Sequence, residues 1–248
     1  MKTPFSLEGK TILITGASSG IGKAVAQECA AAGATCIITA RNEERLLAAL
    51  SSLDGEGHQY MLADLSNPES IEDIVEHLPK LDGVVSCAGI VETKMLKFTE
   101  EEDLLRLFNT NAFSSIRLIR TLVQNKKLKK EASIVIISSI SGVKCGYLGG
   151  SIYGATKGAI EGFTKATALE LAHQKIRVNT ITPGMVETSL LKDSEIDSEL
   201  LKVDKLKYPL KRYGNPEEVG YSAVYLLSDA TKWMTGTSLL IDGGYTLN

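Results

Sequence analysis

Apolar residues along this chain fall into two alternating patterns. Short, nearly unbroken runs rich in Ile, Val and Thr occur as TILIT at 11–15, TCIIT at 35–39, GVVSC at 83–87, SIVII at 133–137, RVNTI at 177–181 and SLLID at 238–242. Between them lie longer segments with apolar positions at helical spacing, such as Ile21, Val25, Cys29 and Ala32, a stripe ended by Gly33. Continuous apolar runs suit strands buried on both faces, and strands alternating with helices read as βαβ units. YMLAD at 60–64 is a weaker strand candidate. The pattern predicts an α/β fold of the doubly wound type: one mostly parallel sheet of about seven strands with helices on both faces.

Helix starts are marked locally. Thr99 with Glu102 has the spacing of a capping box, and Asn215, Pro216 and Glu218 supply cap, first-turn proline and acid. No linker, repeat or low-complexity tract interrupts the chain, so residues 1–248 read as a single domain. The stretch 184–210 mixes charge and leucine without one firm period, as a substrate loop or lid does.

Bulk composition narrows the function. The 248 residues are 44% hydrophobic and 23% charged, with a net charge of −3, so no basic field exists to hold a nucleic acid backbone. Cys29, Cys36, Cys87 and Cys145 lack the spacing of a zinc site or a redox dithiol, which suits a reducing compartment. His58, His77 and His173 are isolated, and no metal is expected. No segment has signal-peptide character or approaches the run of about 18 apolar residues that spans a bilayer. The expectation is a soluble cytoplasmic protein.

Directly after the first strand comes TGASSGIG, 15–22. A strand turning sharply into a helix needs residues without Cβ where backbone approaches a ligand, and the new helix offers free N–H groups to a pyrophosphate. The turn resembles the TGxxxGxG motif of the short-chain dehydrogenase/reductase family. The resemblance extends along nearly the whole chain: Asp64, CAG at 87–89, Asn111, Ser139, YGATK at 153–157, PGMVET at 183–188 and TGTSLLIDGG at 235–244. It implies a Rossmann fold and a nicotinamide cofactor touching Gly16, Ser18, Ser19, Gly20, Ile21, Gly22, Arg41, Asp64, Leu65, Ala88, Gly89, Tyr153, Lys157, Pro183, Gly184, Val186 and Thr188. The second strand ends in Ala40 and Arg41 rather than an acid. A guanidinium there can pair with a 2′-phosphate, so NADP(H) is favoured over NAD(H).

Within that family the Tyr153 equivalent is the general acid/base, and Lys157, four residues on, would lower its phenol pKa and hold the nicotinamide ribose. Ser139 would orient the substrate oxygen, with Ser138 and then Ser141 as weaker alternatives. Asn111 resembles the asparagine that anchors a water beside the lysine, and Val186 would meet the carboxamide through its backbone. Two departures stand out. Ser86-Cys87-Ala88-Gly89 replaces the common Asn-Asn-Ala-Gly, and the interval from Ser139 to Tyr153 is one residue longer than expected.

The sequence therefore predicts an NADP(H)-dependent oxidoreductase interconverting a ketone and a secondary alcohol, with Asn111, Ser139, Tyr153 and Lys157 as its catalytic set. Reduction of 3-oxoacyl groups on a carrier protein is one specific form, for which Lys126, Lys127, Lys129 and Lys130 could meet an acidic partner. A solvated helix end is the preferred account of those lysines. A nonenzymatic NADP(H)-binding module is the alternative from another class. By resemblance the chain assembles as a homotetramer or homodimer through helices near 101–124 and 153–173. Ala166, Leu169 and Ala172 suit such an interface or a core equally.

Overall fold

A computed structural model describes residues 3–188 and 198–247. Seven parallel strands form one sheet: β1 Thr11–Thr15, β2 Thr35–Ala40, β3 Gln59–Leu62, β4 Leu81–Ser86, β5 Leu128–Ile137, β6 Arg177–Pro183 and β7 Ser238–Ile241. Their order across the sheet is β3-β2-β1-β4-β5-β6-β7. The order reverses beside β1, so the carboxyl ends of β1 and β4 open onto a crevice where ligands of such sheets bind.

The strands are apolar along both faces because both faces are covered. Ile12 and Ile14 of β1 lie in one core cluster and Leu13 in the other; in β5, Val135 and Ile137 face the first and Ile134 and Ile136 the second. Each such side chain, fully withdrawn from water, contributes roughly 1.5–3 kcal/mol. The first cluster is roofed by α1 (Gly20–Ala31), α2 (Glu43–Leu50) and a late helix, Pro216–Leu227. The second lies under α3 (Pro68–His77), α5 (Ser114–Gln124) and α6 (Ser151–Leu171). A further helix, α4 (Glu101–Phe108), precedes α5, and helix Ser198–Lys205 falls within the expected substrate loop, of which 189–197 lie outside the described residues. In chain order the last two helices are α7 (Ser198–Lys205) and α8 (Pro216–Leu227).

Three local expectations change. The cap of α4 is one residue later than Thr99: Asp103 accepts from the Glu100 N–H at 3.0 Å, whereas the Thr99 N–H closes the preceding turn on the Leu96 carbonyl at 3.1 Å. β5 starts at Leu128, ahead of the apolar run, because its entry is a polar bulge with Glu131 at φ 67°. The helix expected over 101–124 is broken by a π-helical turn, Asn109–Phe113. The start of α8 is as expected, with Glu218 accepting from the Asn215 N–H at 2.8 Å.

A buried carboxylate ties α6 to the end of the sheet. Glu161 accepts from the hydroxyls of Thr180 at 2.9 Å and Thr182 at 3.3 Å, both on β6, and from Ser238 on β7.

Candidate active site

The glycine turn is built from missing Cβ atoms. Gly16 has φ +64°, and a Cβ on it would stand 3.0 Å from the backbone of Ala88. A Cβ on Gly22 would lie 2.3 Å from the Gly16 carbonyl oxygen, so only glycine lets α1 start so close to β1. Gly20, at φ +52°, faces the Thr188 side chain. Ser19, the N-cap of α1, makes no side-chain cap bond, which leaves the helix N-terminus open to an anion. Ser18, Ser19, Gly20 and Thr188 border a cavity of about 520 Å³ that reaches the start of α8.

At the next strand end, the Thr15 hydroxyl accepts from the backbone N–H groups of Cys87 at 3.1 Å and Ala88 at 3.2 Å. The Ser86 hydroxyl pairs with that of Ser115 at 2.8 Å, and Cys87 packs against the first core cluster. Hydroxyls thus carry the hydrogen bonds here, while the Cys87 thiol packs as a small residue. Across the same edge, Asp64 accepts from the hydroxyl of Ser66 at 2.7 Å and its N–H at 3.0 Å. Leu65 is buried, and Arg41 is exposed at the end of β2.

Ser139 follows β5, Tyr153 lies in the first turn of α6, and Lys157 is one turn further on. The Ser139 hydroxyl lies near enough to the Tyr153 phenol to favour its ionised form, and Ser139 Oγ accepts from the Ser141 N–H at 3.1 Å. Ser138 instead keeps a buried hydroxyl with no partner among the described residues, and Ser141 contributes only backbone to this contact. Lys157 Nζ stands 5.7 Å from the Tyr153 ring centroid and donates to the Ile137 carbonyl at 3.0 Å.

Asn111, buried in the π turn, accepts from the Ile90 N–H at 2.7 Å and donates to the Ile90 carbonyl at 2.9 Å. Gly89 lies between these groups: a Cβ on it would be 3.3 Å from Asn111 Oδ1 and 3.8 Å from Lys157 Nζ. Between Ser139 and Tyr153 the chain makes a tight turn, where the Ile140 carbonyl accepts from the N–H groups of Val143, Lys144 and Cys145. Gly142, at φ +80°, presses that turn onto Gly154 of α6.

Beyond β6, Gly184 abuts Asp242 and the Tyr208 ring, and the Met185 N–H donates to the Tyr208 hydroxyl at 3.0 Å. The Val186 carbonyl, expected to face a carboxamide, accepts from the Thr188 N–H at 2.9 Å. Pro183 closes β6 at the crevice edge.

The comparisons agree with this geometry. A family model described as enoyl-(acyl carrier protein) reductase matches residues 16–246. The chain is 36% identical over 242 residues to a 3-oxoacyl-(acyl-carrier-protein) reductase of Bos taurus, covering 96% of this chain and 98% of the relative. It is 34% identical over 243 residues to 3-oxoacyl-(acyl-carrier-protein) reductase FabG of Vibrio cholerae, with coverage of 96% and 98%. Among solved structures, a short chain dehydrogenase/reductase family protein superposes with TM-score 0.86 at 33% identity, over 97% of this chain and 99% of the other. A putative betaketoacyl-ACP reductase gives TM-score 0.85 at 32% identity with the same coverage. The chain belongs to the short-chain dehydrogenase/reductase family. It is, as such, an oxidoreductase.

In this short-chain dehydrogenase/reductase, electrostatics corrects one expectation. Burial pushes the Tyr153 phenol above its usual value; the Ser139 hydroxyl opposes the rise and the nearby Tyr147 phenol adds to it. Lys157 is not among the groups that bring the phenol down; its own ammonium is lowered to about 8 by burial and donates to the Ile137 carbonyl. Burial also raises Asp64, but its Ser66 bonds and the charge of Arg41 outweigh that and leave the carboxyl below the usual range. The Cys87 thiol is pushed up to about 12 by burial. Among the described residues no His, Cys, Asp or Glu cluster could hold a metal, and no helix is long and apolar enough to cross a membrane.

Several working groups escaped the sequence reading. Thr15 opens the TGASSGIG turn and was legible as a strand-end hydroxyl. Ser66 and Tyr208 carry no local signal, because their partners are set by loop packing. The pairing of Asn111 with Ile90 depends on the π turn.

Proposed function

We propose that this chain is an NADP(H)-dependent reductase that converts a ketone into a secondary alcohol, and the reverse. The reading rests chiefly on one observation: at the crevice, a buried lysine stands 5.7 Å from the ring centroid of a tyrosine one turn earlier on the same helix, with a strand-end serine close to the phenol. A nucleotide-binding module without turnover would have use for the glycine turn but none for that pair.

The residues present fit a dinucleotide. Gly16 and Gly20 at positive φ, and the open start of α1, form a cradle that Cβ atoms would fill. Arg41, with no acid in its place, favours a 2′-phosphate. Asp64 would accept from the adenine amino group, and Thr188 and Val186 would hold the far end. Hydride chemistry is supplied by the nicotinamide when it is bound.

The chain's own groups handle the oxygen. Tyr153 gives its proton to the carbonyl oxygen as negative charge develops there, and Ser139 donates a hydrogen bond to the same atom. A phenol held above its ordinary value stays protonated at neutral pH, which suits the reductive direction. Lys157 would hold the nicotinamide ribose, and Asn111, beside it across Gly89, would anchor a water through which the replacement proton enters.

The substrate is narrowed by the rim. Val91, Met95, Leu96, Leu148 and Met185 are exposed beside the crevice, and an acyl chain would lie along them. This, with the names of the relatives, supports a 3-oxoacyl group as the substrate. The basic stretch is less open to a carrier protein than its sequence suggests. Lys127 donates to the carbonyls of Glu76 and Leu78, and Lys129 pairs with Asp82 at 2.7 Å. Four free cysteines support a reducing, cytoplasmic setting.

Replacing Tyr153 by Phe tests the assignment. NADPH binding, followed by fluorescence, is expected to survive, while ketone reduction falls by about 10²- to 10⁴-fold, the usual reach of general acid catalysis. The parent is expected to favour NADPH over NADH. Undiminished reduction by Tyr153→Phe would overturn the mechanism.

A further inference from the structure

A second cavity lies away from the crevice, towards the amino ends of the strands. It holds about 500 Å³ between the last turn of α1 and the middle of α8, and Phe5, Glu28, Tyr221, Val224 and Tyr225 line it. α1 starts after the carboxyl end of β1 and stops ahead of β2. Glu28 is therefore about 12 Å down that helix from Gly20, at about 1.5 Å per residue. The volume is ordinary for a small-molecule site.

The backbone holds its walls in place. The Leu7 N–H donates to the Ala32 carbonyl at 2.9 Å, and the Ala230 N–H to the Pro4 carbonyl at 3.0 Å. The segment that carries Phe5 is thus pinned to the residues that follow both helices. The rings of Phe5 and Tyr225 stand 6.2 Å apart, tilted by 31°. Gly220 lets α8 settle onto α1, since a Cβ there would lie 2.6 Å from Glu28 Cγ and 3.2 Å from the Ala24 carbonyl oxygen. Phe5 and Tyr221 nevertheless stay 51% and 57% exposed, large rings fixed beside the cavity and left uncovered.

Charge in the groove is one-sided. Among the described residues the Glu28 carboxylate has no ion pair, and burial, then the negative charges of Glu217 and Asp54, push it above the usual carboxylate range. A neutral apolar guest would strip more water from that carboxylate and return nothing. An ammonium with N–H donors is strongly hydrated and would lose more water than ring faces replace. A quaternary ammonium avoids both costs: its methyl groups lie against the rings, and its charge meets the ring faces and the carboxylate.

We propose that the groove between α1 and α8 binds a small organic cation of the quaternary ammonium type, with Glu28 as its counter-charge and Phe5, Tyr221 and Tyr225 as its aromatic walls. The site is separate from the crevice and does not rest on the reductase reading.

Calorimetric titration of the full chain tests this with choline and with an alcohol of the same shape in which a tert-butyl group replaces the trimethylammonium. Choline is expected to bind with a Kd on the order of 1 mM, the uncharged alcohol about 10-fold more weakly, and saturating NADPH should leave choline binding unchanged. Glu28→Gln, which keeps the side-chain shape, should weaken choline about 5-fold, and Tyr221→Leu about 3-fold. In NMR spectra the choline methyl protons should show Overhauser contacts to the rings of Phe5 and Tyr221. Absence of binding at about 10 mM choline, equal affinity for the alcohol, displacement of choline by NADPH, or undiminished choline binding in a folded Glu28→Gln overturns the proposal.

Discussion

Lys157 is a charged group kept where charge is unwelcome. Its ammonium is desolvated on every side and titrates near 8 rather than its ordinary 10.5. The unfolded chain therefore holds more protons than the folded one between those values, and the burden on stability is fully present below pH 8 and disappears above 10.5. In urea denaturation at pH 7 and at pH 10.5, the parent should gain on Lys157→Met by on the order of 3 kcal/mol, because the variant has no such proton to lose. A stability difference that does not change with pH would mean that the ammonium is solvated after all. The residue types at 139, 153 and 157 were legible because four-residue spacing on a helix and a strand-end serine are local facts. The direction of the phenol's pKa was not, since it is set by burial in the crevice, opposed by Ser139 and reinforced by Tyr147, all brought in by tertiary structure.

At the scale of elements, the π turn at 109–113 decides where Asn111 points. In a regular helix the expected one-piece run 101–124 would continue in register; the wider turn instead directs a buried amide at both backbone groups of Ile90. Asn111→Leu should orphan that N–H and C=O and lower stability by about 2–5 kcal/mol, measured by thermal unfolding, with Asn111→Asp losing less because it keeps the acceptor. Equal losses in the two variants would argue that the Ile90 N–H is not the partner that matters. Element types were readable from periodicity, whereas their edges yielded to neighbours. The cap moved to Glu100 and Asp103 because Thr99 is taken by a preceding turn and Lys94 holds Asp103. The polar residues of 129–131 hid the bulged start of β5 because alternation cannot register an insertion.

For the molecule as a whole, the seven strands and their βαβ order followed from apolar runs, since a sheet covered on both faces demands them. Surface residues needed the structure. Ala166 and Leu169 on α6, and Ala172 in the turn just after it, which suited a core or an interface equally, are all exposed, Leu169 at 81%. The core alternative is thereby excluded, and an outward apolar stripe on a long helix is what a partner subunit covers. Sedimentation equilibrium at micromolar concentration should report a homotetramer or homodimer, and Leu169→Glu should shift it toward the monomer. A monomeric parent would remove the assembly from this account.

The mooring of Glu161 has a consequence for how the protein comes into being. The helix that bears Tyr153 is synthesised before the last strand, yet one of the three hydroxyls that hold its buried carboxylate belongs to Ser238 on that strand. While the chain is still being synthesised, that helix waits with an acid lacking one of its donors. Only a nascent chain translated past residue 238 can finish the seat on which Tyr153 stands.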